Sequence, residues 1–487
     1  MSQPAVLLIN PNFMKPPIAP VGLDYVADAL TRRGYAPVLC DLTFSEDWTT
    51  TLDDALAATG PMAVGITVRN IDDAYFASQD FLLEKTAEVV QRVQETTNAP
   101  VVLGGVGFSA APRAALAYLG AHYGIAGEGE DAFPALLDCI VAGRDPRGVP
   151  GVLHRTHDGV ISVTPPAHAD LAVRATPSRS FVDNPRYFAE GGQGGIETKR
   201  GCNGWCVYCV DPVAKGRRLR LRPPVSVAEE FAALLDQGVD TIHLCDSEFN
   251  LPPGHARAVC DALLRQGLAK GDSSEATGSI RWYTYACPRP FDADLAGAIR
   301  RAGCVGVNFG VDHTDEGMLQ RLGRKYGPED IRRAVTACRE AGIVVMCDML
   351  LGSPGETRES IHRAIDFMRQ MKPDRVGLSC GVRVYPHTPL ATFVREQGPL
   401  CDNPNLHGTR QDNDDLLRPI FYVDAGIGED IHGLVWSLVK DDNRFFAADP
   451  EQADRNYNYN DNSVLAEAIR AGERGAYWDI LRRIAEA

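Results

Sequence analysis

Three cysteines, Cys202, Cys206 and Cys209, stand in the run Lys199-Arg200-Gly201-Cys202-Asn203-Gly204-Trp205-Cys206-Val207-Tyr208-Cys209. The spacing is C-x3-C-x2-C, and three thiolates are one ligand short of a closed zinc site or a fully ligated cubane cluster. Such a loop leaves one metal position open to something else. Gly201, Asn203 and Gly204 give the backbone the freedom that a tight wrap requires. Two plainer readings stand beside this one: three buried thiols at chance spacing, or a zinc site whose fourth ligand, Cys245, comes from another strand. The other ten of the thirteen cysteines, among them Cys40, Cys139, Cys245, Cys287 and Cys347, read as small core hydrophobes.

The elements that must position this loop follow from hydrophobic periodicity. Strands are expected at 196–199, 241–245, 282–287, 305–309, 344–351 and 376–384. Helices are expected between them at 226–237, 255–266, 292–302, 328–341 and 357–371. Six strands make a partial barrel, short of eight. Barrel chemistry gathers at the C-terminal strand ends, and Cys202 falls just after the first strand. Ahead of the barrel, residues 5–145 alternate strands at 6–9, 36–40, 62–68, 101–103 and 123–126 with helices at 20–33, 74–97, 112–118 and 132–142. This is the pattern of an α/β, doubly wound parallel sheet of flavodoxin-like order 2-1-3-4-5. The expected division is a Rossmann-like domain over 1–148, a linker over 149–194, a partial barrel over 195–395 and a small cap over 396–487. The Asn- and Tyr-rich string 455–462 reads as part of a lid.

A 487-residue chain with 45% hydrophobic residues has ample core for two or three domains. The net charge of −15 argues against nucleic acid as a main partner. The basic run 217–222, with Arg220 and Arg222, is the local exception and reads as a solvated strand face. No apolar run approaches the ~20 residues of a membrane span, and the N-terminus begins a strand without a signal-like region. A cytoplasmic enzyme with free thiols is expected.

The cysteine spacing and its place after a first barrel strand resemble the radical S-adenosylmethionine (SAM) superfamily. Tyr208 precedes the last cysteine, as an aromatic does there. Asp246-Ser247-Glu248-Phe249-Asn250 follows the second strand, where that family places polar groups near the methionine amine. Gly310-Val311-Asp312 ends the fourth strand, with Asp312 where relatives more often carry Glu, and Leu322-Gly323-Arg324-Lys325 lies downstream. Gly352-Ser353-Pro354-Gly355-Glu356-Thr357 resembles the family's Gly-x-Pro-Gly-Glu-Thr, and Tyr385-Pro386-His387-Thr388-Pro389-Leu390 follows the sixth strand. The resemblance implies a [4Fe-4S] cluster on Cys202, Cys206 and Cys209, with SAM chelating the open iron. It implies SAM contacts from Tyr208, Asp246, Glu248, Asp312, Gly352, Pro354 and Gly355. One electron from the cluster would then cleave SAM to a hydrogen-abstracting 5′-deoxyadenosyl radical. Alternatively, Asp246 and Glu248 are ordinary turn residues, and 352–357 is a strand-to-helix turn with Thr357 as N-cap.

The first domain resembles the cobalamin-binding domain of B12-dependent radical SAM enzymes. Its switch point lies between strands 1 and 3. Asn12 follows strand 1 and Arg69 follows strand 3. Gly104, Gly105, Gly107 and Ser109 follow strand 4, and Gly127 and Glu128 follow strand 5. The resemblance implies that these residues hold cobalamin. No histidine precedes His122, so no imidazole from the loop after strand 1 can serve as lower axial ligand. Arg69 sits where it could approach that lower face, but a guanidinium cannot ligate cobalt. The plain alternative pairs Arg69 with Asp72 or Asp73 at the surface.

Together these features imply a cobalamin-dependent radical SAM C-methyltransferase that moves a methyl group from SAM via methylcobalamin to a substrate carbon. The substrate, a small molecule or peptide, is expected between the domains, faced by Tyr283, Tyr285, Arg383 and Tyr385. An electron donor such as flavodoxin or ferredoxin is implied, with no nucleic acid and no membrane span. The alternatives are a cobalamin-dependent cyclase or rearrangement enzyme, and a non-catalytic zinc or cluster module. Methylthiotransferases carry a three-cysteine N-terminal domain, whereas residues 1–150 here hold only Cys40 and Cys139.

Overall fold

The computed structural model describes residues 3–156, 159, 161–269, 279–448 and 462–486. The string at 455–461 lies outside them.

The first sheet runs β2-β1-β3-β4-β5-β6-β7. Its strands are β1 (Ala5–Asn10), β2 (Ala36–Asp41), β3 (Ala63–Thr67), β4 (Val101–Gly104), β5 (Tyr123–Ile125), β6 (Val152–Arg155) and β7 (Ile161–Val163). The first five are parallel in the expected order. Helices cover both faces, so β1 is a continuous apolar run rather than an alternating one. Leu7 and Ile9 enter one core and Val6 and Leu8 the other, as the period of two dictates. The next two strands come from the expected linker and add to the edge in antiparallel fashion.

The second sheet runs β19-β15-β14-β13-β12-β11-β8 and is parallel throughout. It comprises β8 (Gly194–Ile196), β11 (Thr241–Leu244), β12 (Arg281–Ala286), β13 (Cys304–Asp312), β14 (Val344–Leu351), β15 (Arg375–Cys380) and β19 (Phe445–Phe446). A short antiparallel pair, β9 (Lys199–Arg200) and β10 (Arg220–Leu221), brackets the cysteine loop. A third sheet joins β16 (Val382–Arg383), β18 (Ile420–Tyr422) and β17 (Leu406–Gly408).

Two regions depart from expectation. The helix expected at 74–97 occupies only Leu83–Thr96. The stretch before it is a loop in which Ala74 and Gln79 adopt positive φ, 54° and 56°. The C-terminal region is not a detached cap. Its strand β19 extends the barrel sheet, and the start of the helix Tyr477–Glu486 plugs the lumen, where Ala476 and Trp478 pack on Tyr283 and Met346.

A buried ion network fixes the linker to both domains. Arg179, 0% exposed, donates to Asp24 of the helix Val21–Arg33 (2.8 Å) and to Glu230 of the helix Pro224–Asp236 (2.6 Å). Its third branch reaches Asn184 Oδ1 at 3.2 Å, so the desolvated guanidinium is fully engaged.

Candidate active site

The C-terminal ends of β1, β3, β4 and β5 open onto a cavity of about 400 Å3 whose far wall belongs to the barrel domain. Arg69, Gly104, Gly105, Ser109, Gly127 and Glu128 line it from the first domain, and Glu197, Arg200, Lys215 and Cys245 from the second. The wall of the first domain is shaped by backbone. A Cβ added at Gly104 would meet nothing within 4 Å, so that edge is bare toward the cavity. Gly105, at φ +101°, lies so close to Val68 that a Cβ would sit 2.5 Å from its carbonyl oxygen. Only glycine fits there. Ser109 ties the edge together, donating to Gly105 O and accepting from Gly127 N–H, both at 2.9 Å. At the end of β1, the buried Nδ2 of Asn12 has no hydrogen-bond partner among the described residues. Arg69 makes no ion pair there either, and Asp72 is taken by Arg383 at 2.7 Å. Burial lowers the pKa of Arg69, and its electrostatic neighbours are Tyr477, Cys245, Tyr285 and Tyr187 rather than a carboxylate. Asn12 is not among the residues lining the cavity; the bare glycine edge beside the unneutralised Arg69 guanidinium suits an amide-rimmed macrocycle such as a corrin.

Several expectations on this side need correction. Gly107 does not line the cavity. It lies in the short helix Val106–Ala110, where a Cβ would strike the Arg69 carbonyl at 2.8 Å, so it serves helix–loop packing. Glu128 does line the cavity, but its carboxylate is held by Arg220, with Arg200 at 3.6 Å and Arg174 at 3.8 Å. Arg220 and Arg222 are therefore buried ion-pair partners rather than a solvated face, Arg220 pairing across the domains with Glu128 and Arg222 within the barrel with Glu230 at 2.6 Å. Cys245 is exposed toward the cavity rather than buried in the core. One histidine reaches the cavity, His168 of the linker, and it packs against Gly216 on the barrel side.

The cysteine loop is pinned to the segment after β13. Val207 N–H donates to Leu322 O at 3.1 Å. Gly323 lies under Trp205, and a Cβ there would be 2.0 Å from the Trp205 carbonyl. The thiols of Cys202 and Cys206 flank Gly204, 3.3 and 3.7 Å from where its Cβ would be, so any side chain at Gly204 would intrude between them. Among the described residues no set of thiols, imidazoles and carboxylates converges on a single metal ion. That is compatible with a cubane, in which each thiolate takes a different iron. Burial pushes all three thiols up, Cys206 to about 12, so cluster assembly must displace protons.

Beside the loop, Tyr208 donates to Asp312 at 2.8 Å, and Arg324 contacts both, at 2.8 Å to Tyr208 and 2.5 Å to Asp312. Asp312 occupies a bulge at the end of β13 with φ +60°. Bulges re-aim side chains next to active sites, and this one turns Asp312 toward the cysteines. Glu248 lies 3.7 Å from Arg324, and its buried Oε2 has no hydrogen-bond partner. Burial raises its pKa to about 7 despite Arg324. An orphaned carboxylate oxygen beside the thiols suits the ammonium of SAM. Arg324, quoted in the sequence only as part of a string, is the cation that joins this group. The positive φ of Gly323, +77°, is the local feature that places it.

Other expected contacts are already committed. Asp246 accepts from Thr198 N–H (2.8 Å) and Lys199 Nζ (2.8 Å) and also bonds the Thr198 hydroxyl, so it anchors the strand before the cysteines. In the 352–357 turn, Gly352 and Ser353 N–H groups donate to Glu356, itself bonded to His313, and Gly355 N–H donates to Asp424. Those N–H groups are not free for SAM. Pro354 stands half-buried in the turn, and Thr357 is the N-cap, accepting from Ser360 N–H. Tyr283 donates to Asp479 at 2.8 Å beneath the C-terminal helix and does not face a substrate. Arg383 and Tyr385 both hold Asp72, at 2.7 and 3.2 Å, and tie the domains together. Of the four expected substrate-facing residues only Tyr285 is exposed, within electrostatic reach of Asp348, Cys245, Arg69 and Lys215, although it is not among the residues lining the cavity.

A Rossmann-like edge and a cysteine-bearing barrel facing one cavity define a B12-dependent radical SAM architecture. A family profile described as "Radical SAM superfamily" matches residues 196–368, and one described as "B12 binding domain" matches 14–137. The chain is 32% identical to the tryptophan 2-C-methyltransferase of Streptomyces laurentii over 97% of this chain and 95% of that one. It superposes on the radical SAM methyltransferase TsrM of Kitasatospora setae, solved with tryptophan substrate and a SAM analogue, with a TM-score of 0.90 and 33% identity over 99% of this chain and 98% of that one. The cobalamin-dependent enzyme OxsB shares the fold, with a TM-score of 0.70 at 15% identity over 86% of this chain and 64% of that one. The chain belongs to the cobalamin-dependent radical SAM methyltransferases and uses a [4Fe-4S] cluster, SAM and cobalamin. Methyl transfer to carbon is thereby favoured over ring closure or rearrangement.

Proposed function

We propose that the chain methylates a carbon of a small indole-type amino acid, tryptophan or a close relative, in the space between the corrinoid edge and the barrel. The observation that carries this reading is the shared cavity, one wall from the first domain and one from the barrel. The relatives' tryptophan supports the substrate class. Cobalamin supplies a carrier that accepts a methyl group from SAM and releases it to a nucleophilic carbon.

The chain's own residues hold and orient. Gly104 and Gly105 would admit the corrin. Arg69 keeps a positive charge near the first-domain wall without ligating metal. Cys202, Cys206 and Cys209 hold the cluster. Glu248 receives the SAM ammonium, and the Tyr208–Asp312–Arg324 triad fixes the carboxylate geometry beside it. Tyr285, its ring tilted at 53° against His243 with 5.0 Å between centroids, offers an aromatic wall to the substrate. All thirteen cysteines are unpaired, which suits a reducing cytoplasm. No helix among the described residues is long and apolar enough to cross a membrane. The reading includes a small protein electron donor and no nucleic acid.

The test is anaerobic turnover with SAM carrying a deuterated methyl group and tryptophan. The expected result is a product heavier by one labelled methyl, with S-adenosylhomocysteine formed in step. Release of 5′-deoxyadenosine without methylated product would overturn the reading.

A further inference from the structure

The outer rim of the cysteine loop carries a feature that methyl transfer does not use. Trp205, the neighbour of Cys206, is 58% exposed, the most exposed aromatic side chain among the described residues. Two cations flank its ring, the Arg217 guanidinium 4.8 Å and the Lys325 ammonium 5.8 Å from the centroid. Arg218 stands next to them, its backbone carbonyl against Gly201 at the start of the loop. All three cations are exposed, and none forms an ion pair among the described residues. Their neighbours in sequence behave oppositely. Arg220 and Arg222 are buried against Glu128 and Glu230, and the half-buried Arg200 pairs with Glu130.

An exposed indole ringed by unpaired cations is unusual on a chain of net charge −15. It is a local reversal of sign on the cysteine loop itself, since Trp205 immediately precedes Cys206. Exposed aromatics with arginine mark protein interfaces. A positive rim steers an acidic partner and speeds its encounter.

The geometry points to this rim as the docking surface for a small acidic electron-carrier protein, with Trp205 at its centre and Arg217, Arg218 and Lys325 as its charged border. The inference rests on the cluster assignment of Cys202, Cys206 and Cys209. In the docked pair a reduced carrier gives up one electron, a flavin hydroquinone becoming the semiquinone, and the oxidised cluster gains it. No proton or atom is transferred.

The probes are oxidised flavodoxin and oxidised ferredoxin, titrated anaerobically against the reconstituted holoenzyme. Binding should weaken as salt rises. The double variant Arg218→Glu/Lys325→Glu should weaken the dissociation constant for at least one carrier by about tenfold or more at low ionic strength. Neither residue donates a hydrogen bond to the loop, in contrast to Arg217, which bonds Gly204 O at 3.2 Å. Turnover driven by a small chemical reductant should be unchanged in the same variant. Trp205→Ala should weaken carrier binding with iron content retained. Carrier affinities unaltered by charge reversal in a protein that holds its iron would overturn the proposal. A wild-type protein that holds no iron–sulfur cluster would instead overturn the assignment on which it rests.

Discussion

The corrinoid edge and the cysteine mouth are built from different materials. The first is mostly backbone: two glycines and a serine that ties one loop to the next. The second is mostly side chain: three thiols, a tyrosine, two carboxylates and an arginine in mutual contact. A large, hydrogen-bonding macrocycle is recognised by shape, so its site must stay empty of side chains. A cluster and a small zwitterion are recognised by charge and ligation, so their site must be crowded with them. The same contrast governs what each site tolerates: substitutions on one side act by adding atoms, and on the other by removing them.

Four variants can break or sharpen that contrast. Cys206→Ala carries the largest expected effect. It removes one of three ligands, so iron content falls to near background and turnover is lost by about a thousandfold or more, while corrinoid binding persists. Loss of both cofactors together, measured on the same sample, would show that the two sites are not separable.

Gly104→Leu comes next, because the side chain would enter open space and touch no protein atom within 4 Å of its Cβ. Corrinoid affinity should fall by about a hundredfold, roughly 3 kcal/mol, with the thermal midpoint of the cofactor-free protein unchanged. Gly105→Ala, one residue on, should behave differently. Its φ of +101° and the Val68 carbonyl at 2.5 Å make it a folding lesion of about 1–3 kcal/mol, visible in the melting of the cofactor-free protein.

The smallest effect concerns His243, whose Nδ1 lies 2.9 Å from Leu244 O. Burial pulls its pKa from 6.5 down to about 4. Between those values the unfolded chain binds a proton that the fold refuses. Stability should therefore rise with pH across that window and level off above it. His243→Gln should flatten the acid limb of a plot of thermal midpoint against pH. A midpoint equally steep in both proteins would remove His243 as the cause.

The contrast also explains what could be read from sequence. The cysteine mouth was legible because ligands on one short loop have a spacing, and because the Gly310-Val311-Asp312 motif marks the end of β13, which runs to Asp312 beyond the expected 305–309. The strand order of the first domain was legible from alternating apolar runs. The partners of Asp246 and Arg383 were not, because each is bonded across long sequence separation, Arg383 to a loop some three hundred residues earlier. Asp72 sits in that loop, whose positive-φ residues Ala74 and Gln79 break a helix that composition alone extends back to residue 74. Tyr283 and Tyr285 share a strand face, so periodicity cannot tell them apart. The C-terminal helix covers the first and leaves the second open, a fact held in residues about two hundred positions away.

The most direct test of two separately built sites is the iron, sulfide and corrinoid content of the anaerobically reconstituted wild type, Cys206→Ala and Gly104→Leu proteins, measured side by side. The account predicts about four irons, four sulfides and one corrinoid per wild-type chain, corrinoid alone in Cys206→Ala, and cluster alone in Gly104→Leu. Retention of a full complement of corrinoid by Gly104→Leu would contradict it.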